Sequence, residues 1–302
     1  IAIEVRPLSE GLTEEEQNDL AELSKLDDVV GGAWSSSGNL GTATNWNAGA
    51  GFQNSGLCFG GYHTSGVNAT AEFNGSIWSV GGNILTTRWG LGGAGTQNSG
   101  LSFGGDTGSA SAVTEKYHGS VWSNSGTLNT ARRHLAGAGT QNAGLSFGGY
   151  TGAGASTRTN STEKFDGSTW STTGNLNTSR GHTTGCGTQN SGLSFGGWNG
   201  SYLATTEKFN GSSWSSGGNL NTARYYLAGC GTQNSGLSFG GWNGSLLATT
   251  EKFNGITWTY SGNLNTARNE LAGCGTQNSG LSFGGYNGSS YLATTEKFNG
   301  IT

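Results

Sequence analysis

A chain of 302 residues with 58 glycines, a single proline and a formal charge of −4 matches neither a collagen-like repeat nor a basic nucleic-acid binder. Its hydrophobic fraction of 32% enters the globular range once glycine is counted with it, and aromatics at 10% supply large pieces of buriable surface, so a disordered Gly/Ser linker is excluded. No stretch approaches the roughly 18 apolar residues of a bilayer-crossing helix, and Cys58, Cys186, Cys230 and Cys274 lack any CxxC-type metal spacing.

In chain order, an acidic segment comes first. Residues 1–30 hold nine acidic and two basic side chains, whereas residues 31–302 hold nine acidic and twelve basic ones, so a net −7 precedes a net +3. Such a split marks two physically different segments. Thr13-Glu14-Glu15-Glu16 has the capping-box form and predicts a short helix to about Leu26, with Leu20 and Leu23 on one face and Leu12 stapling its start. This arm is expected either to pack on the neighbouring domain or to join the protein to other proteins of a larger assembly. The sequence contains no methionine, as expected of a processed chain or a piece of a longer one.

From Trp34 onward one unit recurs six times. The phrase G-L-x-F-G-G begins at Gly56, Gly100, Gly144, Gly192, Gly236 and Gly280. Trp34, Trp78, Trp122, Trp170, Trp214 and Trp258 stand at fixed phase, spaced by 44, 44, 48, 44 and 44 residues. Periods of this size signal arrays or propellers. In the fifth unit the pattern predicts a first strand over Leu227–Thr232, a turn at Gln233–Gly236, a second strand over Leu237–Gly241 and a third over Thr249–Phe253. An Asn254-Gly255 hairpin turn, both residues at positive φ, then leads to a fourth strand around Trp258. The turn recurs at Asn74-Gly75, Asn210-Gly211 and Asn299-Gly300, with His118-Gly119 and Asp166-Gly167 as variants. The many glycines are accordingly expected to serve tight turns.

Four short strands repeated radially form a propeller blade. The repeat's two ends are complementary: the last unit stops at Phe298-Asn299-Gly300-Ile301-Thr302, one residue short of its Trp, and Val29–Trp34 offers a fourth strand lacking its first three. Their pairing would close six blades and remove an open sheet edge. A chain running past Thr302 would allow a seventh.

These residues resemble the kelch motif: an apolar strand ending in Gly-Gly, then Glu-x-aromatic, then Trp, then an Arg opening the next unit. Here they are Phe239-Gly240-Gly241, Glu251-Lys252-Phe253, Trp258 and Arg268. The resemblance covers residues 31–302 and departs from the family in its richness in Gly, Ser and Asn and in near-identical copies, a style similar to low-complexity kelch arrays of some bacteriophage virion proteins. It implies an all-β, six-bladed kelch-type β-propeller closed by pairing of its terminal strands, behind a short helical arm.

Strand connectivity puts the first and third turns of each blade on one face and the second turn and interblade connection on the other. Across the six copies the Gln-Asn-Ser-Gly turn is nearly constant, while the opposite face varies. That face gathers aromatic side chains after Gly-Gly (Tyr62, Tyr150, Trp198, Trp242, Tyr286, with Asp106 in the second unit), in the following loop (Tyr202, Tyr291) and just after the Arg (Trp89, Tyr225). Exposed aromatics among small polar residues suit glycan or protein recognition; rings that merely cap the blade tops are the structural alternative. The second position after the Arg predicts a ring around the axis: Trp46, Gly90, His134, His182, Tyr226 and Glu270. His134 and His182 are weak metal candidates, because equivalent positions in neighbouring blades are expected to lie apart.

An Arg before the first strand and a Glu in the third recur in five units: Arg88 with Glu115, Arg132 with Glu163, Arg180 with Glu207, Arg224 with Glu251 and Arg268 with Glu296. Both partners vanish in the first unit, which has Thr44 and Ala71. Joint loss predicts an intrablade ion pair, since one survivor would be an uncompensated buried charge. Cys186, Cys230 and Cys274 share a position filled by Ala50, Ala94 and Ala138 elsewhere, which predicts free buried thiols.

No nucleophile–base pair stands out, and with glycine so frequent a GxGxxG match carries no weight. The expected function is a non-catalytic structural and binding module of a virion (a phage tail or fibre) or of the extracellular space. It is expected to need no cofactor, to contact neither nucleic acid nor membrane interior, and to meet a surface glycan or receptor. The resemblance leaves two alternatives, a secreted carbohydrate-active or copper-dependent kelch oxidase and an intracellular kelch adaptor.

Overall fold

A computed structural model describes residues 31–300; the acidic arm and its expected helix lie outside the described residues. The described chain opens with β1 (Ala33–Ser37). Blade 1 takes β2 (Ala48–Phe52), β3 (Ser55–Phe59), β4 (Thr70–Phe73) and β5 (Trp78–Val80). Blade 2 takes β6 (Gly92–Thr96), β7 (Ser99–Phe103), β8 (Thr114–Tyr117) and β9 (Trp122–Asn124). Blade 3 takes β10 (Ala136–Thr140), β11 (Ala143–Phe147), β12 (Thr162–Phe165) and β13 (Trp170–Thr172). Blade 4 takes β14 (Thr184–Thr188), β15 (Ser191–Phe195), β16 (Thr206–Phe209) and β17 (Trp214–Ser216). Blade 5 takes β18 (Ala228–Thr232), β19 (Ser235–Phe239), β20 (Thr250–Phe253) and β21 (Trp258–Ser261). Blade 6 takes β22 (Ala272–Thr276), β23 (Ser279–Phe283) and β24 (Thr295–Asn299), and its fourth strand is β1.

Each blade is a four-stranded antiparallel sheet. The innermost strands β2, β6, β10, β14, β18 and β22 each adjoin the next, and β22 adjoins β2, so the sheets form a closed circle of six. Closure is made by β1 on β24, in register from Ala33 opposite Asn299 to Ser37 opposite Thr295. The terminal segments therefore complete one blade, and β24 has a partner on both sides.

The core lies between blades rather than within one. Leu193, Phe195, Leu227, Phe253 and Trp258 form one such cluster, with the Phe195 and Trp258 ring centroids 4.9 Å apart. Every periodic Trp also donates its indole N–H to a threonine hydroxyl of the preceding blade, as in Trp258 to Thr206 at 3.0 Å and Trp34 to Thr250 at 2.9 Å. The buried indole is thus fully satisfied while its face packs.

Three sequence readings are corrected. The second strand ends at Phe239, because Gly240 and Gly241 both take positive φ (66° and 107°) and turn the chain out of the sheet. In the Asn254-Gly255 turn only the glycine has positive φ, at 92°; Asn254 works through its side chain, whose Oδ1 accepts the N–H groups of Ile256 and Thr257. This is an Asx turn in a four-residue loop, not a two-residue hairpin. Nor do turns account for all the glycine: a Cβ on Gly229 of the innermost strand would lie 2.4 Å from the Phe195 ring, so close approach of neighbouring blades selects glycine there.

All five expected ion pairs form within their blades. The separation is 3.0 Å between Arg88 and Glu115 and again between Arg132 and Glu163. It is 2.6 Å between Arg180 and Glu207 and 2.5 Å between Arg224 and Glu251, and Arg268 pairs with Glu296 likewise. Each guanidinium also donates to two backbone carbonyls, Gly240 and Thr249 in the case of Arg224. Each carboxylate accepts backbone N–H donation from the incoming connection: Glu163 from Asn129 at 2.7 Å, Glu207 from Asn177 at 2.7 Å, and Glu251 from Asn221 and Thr222. Glu163 and Glu207 are therefore buried structural anchors that tie one blade to the chain entering it. Burial pulls the arginine pKa down, to about 10 for Arg88, against the opposing pull of its glutamate. All four cysteines are buried and free, and burial pushes Cys58 and Cys186 up to about 12.

Candidate ligand-binding face

Just beyond each buried Arg the chain turns sharply, and the turn positions the face. Trp46, His134, His182, Tyr226 and Glu270 all have φ between 50° and 57°, and Gly90 has φ 56°. This left-handed geometry is uncommon for such residues, and here a closed set of hydrogen bonds holds it. The N–H of each ring residue donates to the carbonyl of its counterpart in the preceding blade: Gly90 to Trp46 at 2.8 Å, His134 to Gly90 at 2.6 Å, His182 to His134 at 3.0 Å, Tyr226 to His182 at 3.3 Å, Glu270 to Tyr226 at 2.9 Å and Trp46 to Glu270 at 2.9 Å. Six amides from six blades form one cycle around the axis.

Equivalent positions in neighbouring blades are therefore close, contrary to the sequence expectation. The His134 and His182 ring centroids are 4.3 Å apart, and those of His182 and Tyr226 are 4.2 Å apart. A period of 44 residues reveals nothing about how tightly the axial turns crowd. Among the described residues no three His, Cys, Asp or Glu side chains converge as a metal site would require.

The first position after the Arg is fixed by a second device. It forms an antiparallel bridge with the residue after Gly-Gly: Asn45 with Tyr62, Trp89 with Asp106, Arg133 with Tyr150, Gly181 with Trp198, Tyr225 with Trp242 and Asn269 with Tyr286. The same residue bridges onward to the loop, as Trp198 does to Tyr202 and Tyr286 to Tyr291. The backbone thus assembles the variable positions of each blade into one platform.

The platforms join through their side chains. Contacts run from Tyr286 through Tyr291, Tyr62, Trp46, His134, His182 and Tyr226 to Tyr225, Trp198 and Tyr202, with Trp89 against Tyr62 and Tyr150 against His182. Tyr202 stacks on Tyr225 with a 15° interplanar angle. Trp242 is held by its bridges to Tyr225 and Leu246. Most of these rings are half-buried against one another, Tyr150 is buried, and Tyr202 is exposed, so the face is a packed aromatic layer rather than a set of free rings.

A depression of about 290 Å³ opens in this layer, lined by Trp46, Arg133, His134, Tyr150, Ala153, Gly154, His182 and Tyr226. Ala153 and Gly154 come from the loop after β11, which contains a short 3-10 turn at Ala155–Thr157. This loop lies in the one unit whose Trp spacing is 48 rather than 44, so the insertion builds a wall of the depression. Arg133 was missed in the sequence, although it is the only basic residue among the six copies at its position. Its guanidinium pairs with the buried Asp106 and donates to the Gly152 carbonyl at 3.1 Å.

Burial pushes the His134 pKa down to about 4, helped by Arg133 and opposed by Asp106. His182 is held well below the usual imidazole range by burial, then by His134 and Arg133. Both imidazoles are neutral at pH 7 and present lone pairs as well as N–H groups. Glu270, on the far side of the ring, accepts from Asn45 Nδ2 at 2.6 Å, and burial raises its pKa.

No protein-family model matches the chain, and no curated protein matches it.

Proposed function

We propose that the chain is a non-catalytic recognition module that binds a carbohydrate in the depression over the axial ring. The observation that carries this reading is the depression's composition. Three aromatic side chains (Trp46, Tyr150, Tyr226) offer apolar faces to a sugar's C–H surface, and two neutral imidazoles and Arg133 offer hydrogen bonds to its hydroxyls. A cavity of about 290 Å³ suits one sugar residue at the end of a longer glycan. Free variation of this face between copies, over a near-constant Gln-Asn-Ser-Gly turn on the other, is what a scaffold carrying changeable specificity would show. The similarity in repeat style to kelch arrays of phage virion proteins supports a place in a tail or fibre, with the acidic residues 1–30 serving attachment to other proteins of that assembly.

A glycan array followed by saturation-transfer NMR on the hits tests the reading. Magnetisation transfer from the protein to the sugar is expected, and Tyr226→Asn, which keeps the left-handed turn accessible, is expected to weaken binding about tenfold, the worth of one aromatic contact. Absence of any hit at millimolar sugar, or hits that Tyr226→Asn leaves unchanged, rejects the depression as the site.

A further inference from the structure

Blade 1 lacks the ion pair that the other blades bury, and it has also lost that pair's third partner. Where the guanidinium donates to Ser102 and Ser146 in blades 2 and 3, blade 1 has Cys58. Thr44, Cys58 and Ala71 therefore stand at the positions that Arg, Ser and Glu occupy in the other blades. The small side chains leave a cavity of about 120 Å³, whose lining includes these three residues, Leu40, Trp78 and Val80, and also Gly41, Thr42, Gly60 and Ala69.

The backbone of this cavity keeps the arrangement that binds the ion pair in the other blades. Gly60 and Ala69 correspond to Gly104 and Val113, whose carbonyls accept from Arg88 at 2.7 and 2.6 Å. Gly41 and Thr42 correspond to Leu85 and Thr86, whose N–H groups donate to the Glu115 carboxylate at 2.6 and 3.1 Å. Two acceptors and two donors thus stand at the repeat positions that in blade 2 hold a guanidinium bonded to a carboxylate, on strands paired in the same register. The cavity is closed at its Thr44, Cys58 and Gly60 end and opens to solvent beside Gly41, Thr42 and Val80; a lone cation at the closed end would be uncompensated, so a fitting ligand brings both charges.

We propose that the blade 1 cavity is a binding site for a small zwitterion that carries a guanidinium and a carboxylate. The guanidinium lies against the Gly60 and Ala69 carbonyls, and the carboxylate accepts from the Gly41 and Thr42 amides. The volume is comparable to the cavity of about 150 Å³ that accepts a benzene-sized guest. The site shares no lining residue with the depression over the axial ring, so it stands or falls independently of the carbohydrate reading.

Titration of the whole chain with guanidinoacetate, followed by amide and indole NMR, tests it. Saturable shifts are expected at Gly41, Thr42 and the Trp78 indole, with glycine, methylguanidinium and acetate each about tenfold weaker or without effect. The refilled variant Thr44→Arg/Cys58→Ser/Ala71→Glu is expected to lose these shifts and to melt higher than the parent; Ala71→Leu, a neutral plug, is a second variant expected to lose them. Unsaturable or absent shifts in the parent overturn the proposal, as do shifts that glycine reproduces or that survive in either filled variant.

Discussion

The Arg–Glu pairs show what one side chain can tell about another. Arg224 and Glu251 are fully buried; Arg224 also donates to backbone carbonyls, and Glu251 also accepts from the backbone N–H groups of Asn221 and Thr222 and from Asn221 Nδ2. Arg224→Met leaves a buried carboxylate without its counter-charge and is expected to cost about 3–5 kcal/mol in urea unfolding. Arg224→Met/Glu251→Leu removes both charges and is expected to cost much less; equal losses would mean that packing rather than charge dominates the site. The pairing was legible in the sequence because both members disappear together at Thr44 and Ala71. The closeness of His134 and His182 was not, because a left-handed turn in a histidine leaves no mark on composition or spacing. Their burial has a pH consequence. Folded His134 takes up a proton only near about 4, against 6.5 for the free side chain, so between these values the unfolded chain binds more protons. Stability should therefore fall as pH drops from about 6.5 toward 4, by about 1–2 kcal/mol for this half-buried ring. His134→Asn, compatible with the turn, should flatten that part of a melting-temperature profile; an unchanged slope would place the titration elsewhere.

At the scale of the element, the near-constant Gln-Asn-Ser-Gly turns are interblade clamps. Gln233 Nε2 donates to the Gly192 and Phe209 carbonyls of the preceding blade at 3.1 and 2.6 Å, and the equivalent glutamine does the same in all the other blades. Asn234 Oδ1 accepts from Lys208 of that same preceding blade at 2.7 Å. Comparing the internal copies revealed that these turns are constrained, but a repeat cannot say whether a side chain faces its own sheet or the next one. Gln233→Ala strips two buried carbonyls of a donor and is expected to cost about 1–3 kcal/mol, read from the urea midpoint; no loss would mean water replaces the amide. The strand count and order were readable from periodicity, whereas the interblade placement of the Trp rings was not. The turn type was not, since Asn-Gly serves an Asx turn as readily as a hairpin of the two-residue kind.

For the whole molecule, closure depends on one strand donated from the start of the described chain. Deleting Ala33–Ser37 removes β1 and leaves the β24 edge unpaired, with its row of free backbone groups. The shortened protein is expected to elute as aggregates in size-exclusion chromatography and to lose its single sharp melting transition; a monomer that melts like the parent would mean that the closing strand contributes little. This join was the most legible feature of the architecture, because a truncated last unit and an orphan first strand are complementary in the sequence itself. What the face binds was far less legible, because its shape comes from loops of different blades that only the closed circle brings side by side.

The cycle of six axial amides fixes where each Cβ starts, whatever side chain it carries, which is how an indole, two imidazoles, a phenol, a carboxylate and a bare hydrogen coexist on one circle. The axial ring is in effect a dial with six settings. Each can be exchanged for any side chain that accepts the left-handed turn, with asparagine, aspartate and glycine the easiest substitutes and valine or isoleucine the hardest. A lineage could therefore retune what enters the axis one blade at a time while the scaffold beneath stays the same.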